Sequence, residues 1–536
     1  MMKLKLYAVW TLTLALFAKA WGVRYLMPEP VVVDSQVYVK ITTDSPVSSP
    51  NLYYEEFAAD AHLTDYLFEF YLLHDSSDTD WLLPAKYVKP GKLYRYIVAV
   101  TTKGGRRILS KESTFRIIET EDGLKIGLSF EILPFANVLD SNTAVVAWKV
   151  NKKPDIAIVE YGLKGLKRRV EVRPKSARIE VKLSDLTPSQ IYAYRTITIL
   201  GNDTLVGPIS TIKTPRRQGE RFKFVVLSDS RTNWHWPNPY DQLNGVAAYS
   251  LRHALAEAMR HDPDFIIFMG DLIQGYTSDT TYARIQFETW LHSAWTANSK
   301  VSIYEAVGNH DASSPLVQID RRNHYDPPPP NSAEDLWAEI FVLPTNGPES
   351  ADTMPPYKEN VYSFDWGDAH FVILNCDYLY HRVDGRRSPA ALDSVQLAWL
   401  RSDLERNRDK RIFVVYHEPI FPMSLRGGEF EQDMADTLLK LFSDYGVQAV
   451  LNGHEHLYAR LRIDSTLSNV VKHPFRQIIS GRAGAPKYRV NTERYGENLE
   501  SFSQLMHYVV IEVSASGVHY QVYDLDGNLI DEWREP

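Results

Sequence analysis

The chain has 536 residues, of which 44% are hydrophobic and 24% are charged, and its formal net charge is −8. This composition is typical of a folded chain with a sizeable core, and the length predicts about two to four domains. A protein that binds nucleic-acid polymers without sequence preference needs a basic face to neutralise phosphates, so the mild acidity argues against that class. The composition therefore favours a small substrate or ligand over a long charged polymer.

The first twenty residues have the pattern of a secretory signal peptide. MMKLK is followed by the apolar stretch LYAVWTLTLALF and by Ala18-Lys19-Ala20, a small-x-small pattern that suits cleavage before Trp21. The apolar stretch is short for a membrane span, and an uncleaved anchor is the alternative. The sequence predicts an exported chain (secreted, periplasmic or on the cell surface) whose mature form has no transmembrane span.

Residues 28–120 and 127–215 are predicted to be two tandem β-sandwich modules. Both are rich in Thr, Val and Tyr, alternate apolar with polar residues and have turn residues at intervals. In each, a Pro turn precedes a Tyr-x-Tyr strand, a Gly-containing hairpin and a Ser-Thr strand, a pattern that resembles fibronectin type III-like domains. The matched positions are Pro90 with Pro188, Tyr94 with Tyr192, and Tyr96 with Tyr194. The aromatic stretch 51–81 is predicted to be core, with a sugar-like binding surface as the alternative.

From residue 220 the pattern changes to apolar runs separated by amphipathic stretches. The runs FKFVVL, FIIFM, SIYEAV, RIFVVY and VQAVL are typical of buried parallel strands. Residue types that bind divalent metals follow them directly: Asp229, Asp271, Asn309, His417, and His454 with His456. Amphipathic stretches at 245–260, 394–407 and 431–446 predict helices. Residues 220–536 are therefore predicted to form an α/β layered domain with a site along one rim of its sheet.

Single motifs in this region are weak, because Gly-Asp and Gly-Asn pairs are ordinary turn residues and a lone histidine is usually structural. Cys376 is the only cysteine, which excludes an intrachain disulfide and thiolate clusters, and its neighbours predict a buried inert thiol. His370 is predicted to be a surface or packing histidine. The long segment 312–360, which includes PPPP, is predicted to be either a lid above the site or a solvated loop.

The ordered motifs Asp-x-Arg, Gly-Asp, Gly-Asn-His-Asp, His and Gly-His-x-His over residues 220–525 resemble the calcineurin-like metallophosphoesterase superfamily. A preceding fibronectin-like module is similar to the layout of its purple acid phosphatase branch, although two modules exceed the simplest arrangement. The resemblance implies two metal ions (iron, manganese or zinc) that lower the pKa of a shared water for in-line attack on phosphorus. It assigns Asp271 to both metals, Asp229 and His456 to the first, and Asn309, His417 and His454 to the second.

His310 resembles the family's histidine that contacts substrate and protonates the departing oxygen. Asp311 is predicted to fix the tautomer of His310. The alternative is that Asn309, His310 and Asp311 only close a turn or cap the next helix.

Two positions depart from the family pattern. Arg231 stands where the superfamily most often has histidine and purple acid phosphatases have glycine. A guanidinium stays protonated and cannot ligate a cation, so Arg231 is predicted to contact a phosphate oxygen. Purple acid phosphatases have a tyrosine three residues after the bridging aspartate, a position that is Gln274 here. Tyr276 is a candidate ligand of the first metal, with Gln274 or water as alternatives.

The leading prediction is an exported phosphomonoesterase that acts on a small phosphorylated substrate. The same core cleaves diesters and nucleotides, so a phosphodiesterase or nucleotidase is the alternative, decided by the loops at 232–244, 312–360, 378–392 and 422–430. Trp234, Trp236 and Tyr240 either stack an aromatic leaving group or base or pack their own loop. An alternative from another class is a cell-surface binding protein whose phosphoesterase domain is inactive because Arg231 replaced a ligand.

Overall fold

The structure is a computed structural model, and its contacts divide the chain into two units, Met1–Glu131 and Ile132–Pro536. It describes residues 23, 25–58, 77–232, 242–277, 279–312, 332–351, 355–378, 382–383, 386–387, 390–425 and 430–536. The predicted signal peptide, the three aromatic residues of the 233–241 loop and much of the segment 312–360 lie outside these residues. No helix in the described ranges is long and apolar enough to cross a membrane.

The first unit is built from β-strands that pair into one hydrogen-bonded set. A single strand of 21 residues, β2, pairs through its first part with β1 and β3 and through its second part with β4. Shifts of register between Thr42 and Val47 and between Ser48 and Asn51 separate the two parts. The strands of this unit are β1 (Glu29–Val33), β2 (Gln36–Glu56), β3 (Ser77–Pro84), β4 (Leu93–Thr102), β5 (Arg107–Leu109), β6 (Ser113–Thr120) and β7 (Gly123–Ile126).

The second unit begins with a β-sandwich. A three-stranded sheet, β12-β9-β8, faces a five-stranded sheet in which β11-β10-β13-β14 are in order and β15 pairs with β13. Trp148 of the first sheet is fully buried, and its indole N–H donates to Thr198 Oγ1 of the second at 3.0 Å. The strands are β8 (Phe130–Asp140), β9 (Thr143–Val150), β10 (Ile156–Gly162), β11 (Arg168–Val172), β12 (Arg178–Leu183), β13 (Ile191–Leu200), β14 (Asp203–Val206) and β15 (Ser210–Lys213).

The sequence repeat corresponds to the same local structure in both copies. The hydroxyl of Tyr94 accepts from the backbone N–H of Lys89 at 3.0 Å, and that of Tyr192 accepts from Thr187 at 2.9 Å. The residue after the turn proline has positive φ in each copy, 79° at Gly91 and 61° in the second. A tyrosine five residues after its backbone donor therefore fixes the same turn twice.

The rest of the second unit consists of two mixed sheets with helices. One sheet has the order β20-β19-β16-β30-β31-β32, with β16, β19 and β20 parallel; the other has the order β21-β22-β25-β26-β28-β27-β29, with β22, β25, β26 and β28 parallel. The strands are β16 (Phe222–Leu227), β17 (Gln242–Leu243), β18 (Val246–Ala247), β19 (Phe265–Phe268), β20 (Ser302–Glu305), β21 (Tyr362–Trp366), β22 (Ala369–Ile373), β23 (Arg382–Val383), β24 (Arg386–Arg387), β25 (Arg411–Val415), β26 (Ala449–Asn452), β27 (Tyr458–Ile463), β28 (Phe475–Ser480), β29 (Leu499–Ser503), β30 (His507–Ser514), β31 (Gly517–Asp524) and β32 (Leu529–Glu535). The helices are α1 (Ala248–Met259), α2 (Thr280–Asn298), α3 (Ala333–Ile340), α4 (Ser394–Arg406) and α5 (Gln432–Asp444).

Phenylalanines fill the space between the two mixed sheets. Phe224 and Phe265 of the first sheet stack with ring centroids 5.2 Å apart, and Phe371 and Phe413 of the second stack at the same distance. Phe371 meets both rings of the first sheet edge-on, at 5.0 and 5.2 Å. The prediction of an α/β layered domain is confirmed, but the expectation of one sheet with a site on its rim is wrong, because these rings join two sheets face to face.

Candidate metal centre

The donors predicted from sequence lie at the carboxyl ends of strands from both mixed sheets. Asp229, Asp271 and Asn309 follow β16, β19 and β20 of the first sheet, while His417 and the His454–His456 pair follow β25 and β26 of the second. Two groups have donor atoms within 4.8 Å of one another: Asp271, His417 and His454 form one, and Asp229, Asp271 and His456 form the other. Asp271 belongs to both groups, so it is positioned to bridge two cations.

In the group of Asp271, His417 and His454, called the second group below, hydrogen bonds orient the donors. The Nδ1 of His417 lies 2.7 Å from the carbonyl of Met269, which leaves Nε2 directed at Asp271 Oδ1, 3.2 Å away. The Nδ1 of His454 is 2.9 Å from Asn309 Oδ1, and the amide nitrogen of Asn309 donates to the hydroxyl of Tyr276. A backbone carbonyl thus holds the outer nitrogen of His417, and its other nitrogen faces the carboxylate of Asp271, as in a metal-binding histidine.

In the group of Asp229, Asp271 and His456, called the first group below, a buried carboxylate oxygen lacks a hydrogen-bond partner. Asp229 Oδ2 accepts from Ser228 Oγ at 2.7 Å and from the backbone N–H of His454 at 2.9 Å. Its other oxygen, Oδ1, has none and lies 3.4 Å from Nε2 of His456. Because an unpaired buried carboxylate oxygen is costly, this atom and the imidazole beside it fit a cation.

The backbone at the donors adopts conformations that side chains rarely take. The φ angles are 61° at Asp229, 53° at Asp271 and 66° at His454, all in the left-handed region. Close approach explains one neighbouring glycine, because a Cβ on Gly308 would lie 2.3 Å from the backbone nitrogen of Asp271. Such strain is typical of sites where the fold positions functional groups.

Burial and proximity shift the pKa values of these groups in opposite directions. Burial, together with the nearby Asp271 charge, raises the pKa of Asp229 to about 8. Burial opposes protonation of His417, but the carboxylate of Asp271 outweighs it and raises the pKa of His417 to about 10. The pKa of Asp271 is lowered despite burial, chiefly by His417 and His310. Asp271 therefore carries negative charge that neighbouring positive groups stabilise, which is the property expected of a bridging ligand.

Arg231 lies directly against the first group and not apart from it. Its Nε is 3.2 Å from Asp271 Oδ2, and its Nη2 is 3.1 Å from His456 Nε2. The same Nη2 donates to the hydroxyl of Tyr488 at 2.8 Å, and Nη1 donates to the carbonyl of Thr232 at 3.1 Å. The ring of Tyr488 stacks on His456 with centroids 3.9 Å apart. The predicted contact of Arg231 with a phosphate oxygen thus remains a prediction, and two of the four partners named here are metal-donor atoms.

His310 is held by a different partner from the one that the sequence predicted. Its Nδ1 lies 2.6 Å from the carbonyl of Gln274, so Nε2 faces Asp271 Oδ2, 3.9 Å away. Asp311 instead accepts from the backbone N–H groups of Leu272 at 3.0 Å and Gly308 at 3.0 Å. The prediction that Asp311 fixes the tautomer of His310 is wrong: a carbonyl does so, and Asp311 joins the two loops that carry Asp271 and Asn309.

Tyr276 packs its ring against His310, with centroids 4.1 Å apart, and its hydroxyl meets the amide of Asn309. Of these two contacts, only the one with Asn309 is with a residue that the family resemblance assigns to the second metal. Its ligation of the first metal, like that by the Gln274 side chain, remains a prediction.

Residues 222–458 match the family model of calcineurin-like phosphoesterases. The chain contains a calcineurin-like phosphoesterase domain. Purple acid phosphatase 15 of Arabidopsis thaliana is 23% identical over 298 residues, which cover 52% of this chain and 48% of that protein. The chain thus aligns with about half the length of this curated relative.

Two solved structures share the fold. A purple acid phosphatase, PPD1, from seeds of yellow lupin (Lupinus luteus) superposes with a TM-score of 0.62 at 14% identity, covering 95% of this chain and 93% of that one. PhoD superposes with a TM-score of 0.54 at 11% identity, covering 76% of this chain and 92% of that one. At these identities the two likenesses show the fold alone, over nearly the whole chain for the lupin protein and over about three quarters of it for PhoD.

Several residues that shape this phosphoesterase domain's site carry no sequence motif. Tyr488 lies in the loop after β28, and the carbonyl of Pro486 in the same loop meets Nδ1 of His456. The backbone N–H groups of Ala483 and Ala485 donate to the carbonyls of Ser228 and Asp229, at 2.8 and 3.0 Å. The sequence does hold one indication of this loop: β28, FRQIIS, is another apolar run followed by a glycine-containing loop. Because the carboxyl ends of parallel strands meet at one edge of a sheet, this loop lies at the same edge as the donors.

Proposed function

We propose that this chain is an exported, metal-dependent phosphoesterase that hydrolyses small phosphate monoesters with two metal ions. The observation that supports the proposal is the meeting of two donor groups at Asp271, with the buried Oδ1 of Asp229 lacking a hydrogen-bond partner. Mixed oxygen and imidazole donors suit iron, manganese or zinc better than calcium. When bound, a metal pair supplies a water of lowered pKa and stabilises charge on the phosphate oxygens.

In this proposal Asp271 would be shared by both ions, Asp229 and His456 would hold the first, and Asn309, His417 and His454 would hold the second. His310 has its Nδ1 on the Gln274 carbonyl, so its Nε2 is the atom available to hold a proton. Protonated there, it would donate to the departing oxygen of the ester. Among the residues that the structure describes, Arg231 is the one guanidinium that contacts donors of the first group, and its planar fork suits two phosphate oxygens.

The first experiment is hydrolysis by the purified full chain loaded with Mn²⁺ or Zn²⁺. The substrates are p-nitrophenyl phosphate and bis(p-nitrophenyl) phosphate, and metal content is measured on the same samples. We expect bound metal and faster cleavage of the monoester. Faster cleavage of the diester would favour a phosphodiesterase, and bound metal without either activity would favour the binding-protein alternative.

A pair of variants on one strand separates loss of the site from loss of the fold. Asp271→Asn at the carboxyl end of β19 removes the shared ligand and is expected to abolish activity with loss of bound metal. Asp264→Asn, directly before the same strand, changes another buried carboxylate, which is paired with Arg216 at 2.6 Å. We expect Asp264→Asn to lower stability and to keep the metal content. Equal metal loss in both variants would contradict the assignment of Asp271.

Export is proposed from the pattern of residues 1–20 alone. Expression of the full chain in a secreting host is expected to release protein whose amino terminus is Trp21, as determined by mass spectrometry. Retention of the intact amino terminus in the membrane fraction would support the uncleaved anchor instead.

A further inference from the structure

The two donor groups differ in what their atoms contact. In the second group, Nε2 of His417 and Nδ1 of His454 lie beside Asp271 and Asn309, which are proposed ligands themselves. In the first group, Asp271 Oδ2 and His456 Nε2 both lie within 3.2 Å of the guanidinium of Arg231. A protein cation therefore lies against two of the three donor residues of the first group.

Arg231 is held in this position from its outer side as well. The hydroxyl of Tyr488 and the carbonyl of Thr232 accept from Nη2 and Nη1, at 2.8 and 3.1 Å. The Arg231 side chain is 9% exposed, and Tyr488 is itself stacked on the imidazole of His456. Four acceptors thus surround one guanidinium, which makes the contact a built feature of the fold and not a surface side chain resting on the site.

A metal ion and this guanidinium compete for the same atoms. An ion ligated by Asp271 and His456 would stand about 2.0–2.2 Å from their donor atoms. The guanidinium nitrogens stand about 3 Å from the same atoms, and arginine stays charged at any pH at which proteins fold. A metal ion bound to these donor atoms and the guanidinium beside them are both positive and partly removed from water, so they would repel each other strongly. Loading of the first position therefore requires the guanidinium to withdraw.

We propose that Arg231 is a built-in competitor for the first metal position, so that the second group fills first and the first group fills only at higher metal concentration. This inference rests on the proposed two-metal function. Withdrawal of the guanidinium from Asp271 and His456 would free its fork for the substrate phosphate. Binding of a metal ion at the first position would thus release Arg231 to contact the substrate phosphate.

Calorimetric titration of the metal-free full chain with Mn²⁺ tests the proposal without measuring activity. We expect two binding events of unequal affinity in the unaltered chain, and loss of the tighter one in His454→Ala, which removes a ligand of the second group only. Two dications also repel each other, so unequal affinity alone does not implicate Arg231. The decisive comparison is Arg231→Met, in which the ratio of the two dissociation constants is expected to shrink by at least about tenfold through tighter binding of the weaker event.

Two matched variants control for charge and folding. Arg231→Lys keeps the positive charge at this position and is expected to keep most of the affinity ratio. Arg408→Met removes a guanidinium that is 61% exposed. Arg408 lies near the start of β25, at the opposite end of that strand from His417, so the variant is expected to change neither dissociation constant. Thermal unfolding of each metal-free variant checks that it folds.

The outcomes separate this inference from the proposed function. An unchanged ratio in Arg231→Met, or equal affinities in the unaltered chain, would overturn the competition by Arg231 and leave the two-metal site intact. Absence of any Mn²⁺ binding in the unaltered chain would overturn the two-metal function itself. Tighter binding of the weaker event in Arg231→Met alone would establish the competition.

Discussion

His310 shows how a backbone carbonyl decides which atom of a side chain is available for chemistry. The Gln274 carbonyl meets Nδ1, so a proton to be donated to the substrate has to reside on Nε2, on the side of Asp271. The ring also packs on Tyr276, which limits its rotation. A histidine restrained in this way is suited to protonate a departing oxygen at one fixed position.

Replacement of His310 by Ala is expected to lower kcat by about 10²-fold or more, because a positioned proton donor contributes that much to bond cleavage. The loss should be larger for phenyl phosphate than for p-nitrophenyl phosphate, whose leaving group needs no proton. Metal content, measured on the same samples by mass spectrometry, is expected to stay unchanged. A loss of equal size for both substrates, together with loss of metal, would instead assign His310 to the metal site.

At this scale the sequence predicted residue types better than partners. Acidic and histidine side chains directly after apolar runs identify metal-donor candidates, because the carboxyl ends of parallel strands meet at one edge. The partner of His310 was predicted wrongly, since a neighbouring carboxylate in sequence, Asp311, turned out to bind backbone N–H groups of another loop. Backbone carbonyls and the stacked Tyr488 leave no mark in the sequence near the donors that they orient.

At the scale of elements, the sandwich of β8–β15 is joined to the strand that leads to Asn309. The amide nitrogen of Asn137 in β8 donates to the carbonyls of Ile303 and Val342, at 2.8 and 2.9 Å, and its oxygen accepts from Ile303 at 3.2 Å. The hydroxyl of Tyr304 donates to the carbonyl of Val138 at 2.9 Å. Since β20 is the edge strand of its sheet, β8 supplies partners to its otherwise unpaired side.

Asn137→Ala is expected to destabilise the second unit by about 1–3 kcal/mol, because it leaves buried backbone groups of β20 and of residue 342 without partners. The measurement is urea-induced unfolding of the full chain. Because β20 ends four residues before Asn309, the variant is also expected to bind metal more weakly at the second group. Thr204→Ala, at a surface position of β14, is the control and should change neither the free energy of unfolding nor the metal affinity. An unchanged metal affinity in Asn137→Ala would show that β20 keeps its position without Asn137.

A second joint between elements is formed by a histidine between two carboxylates. His370 of β22 is buried, as the sequence prediction of a packing histidine allowed, with Nδ1 2.7 Å from Asp365 of β21 and Nε2 2.7 Å from Asp403 of α4. Burial lowers the pKa of His370, but the two carboxylates outweigh burial and raise it overall. Arg406 and Lys410 pair with the outer sides of the same carboxylates, at 2.9 and 2.7 Å.

The pKa of His370 is higher in the folded than in the unfolded chain, so protonation of His370 stabilises the fold. This stabilisation is complete below the unfolded pKa of about 6.5 and is lost as the pH rises through the folded pKa. His370→Asn is therefore expected to lower the free energy of unfolding by about 3 kcal/mol near pH 6 and by clearly less near pH 9. The measurement is urea-induced unfolding of both proteins at the two pH values. A difference that is the same at both, or larger at the high pH, would show that His370 is neutral in the folded state.

The helix α2 shows why element prediction fails in a large core. The sequence predicted α1, α4 and α5 from their amphipathic faces, but α2 has buried residues around most of its circumference, with Trp290 fully enclosed and Trp295 nearly so. A helix covered on all sides has no polar stripe to give a period of 3.6 residues. The antiparallel strands β30–β32 were missed because strand order, unlike strand composition, is set by contacts distant in sequence.

For the whole molecule, the two-sheet arrangement explains how five separated motifs form one site. The phenylalanine layer fixes the sheets face to face, so that the strand ends of one sheet bring Asp229 and Asp271 towards His417 and His456 of the other. A single sheet would place these donors in a row along its rim. The family resemblance predicted that these donors meet in one site. The sequence could not show that the strands form two sheets, because each apolar run is equally compatible with a strand of a single sheet.

All of the proposed ligands, and the orienting contacts described above, lie in the unit Ile132–Pro536. A chain that begins at Gly127 keeps every strand of the sandwich and both mixed sheets, since β8 starts at Phe130. We therefore expect it to fold and bind two equivalents of metal, with a kcat/KM for p-nitrophenyl phosphate within about twofold of the full chain, because changes distant from the ligands have nearly independent effects. Activity, metal content and circular dichroism of the two chains give the comparison. A folded, shortened chain with reduced metal binding would show that the amino-terminal unit contributes to the site.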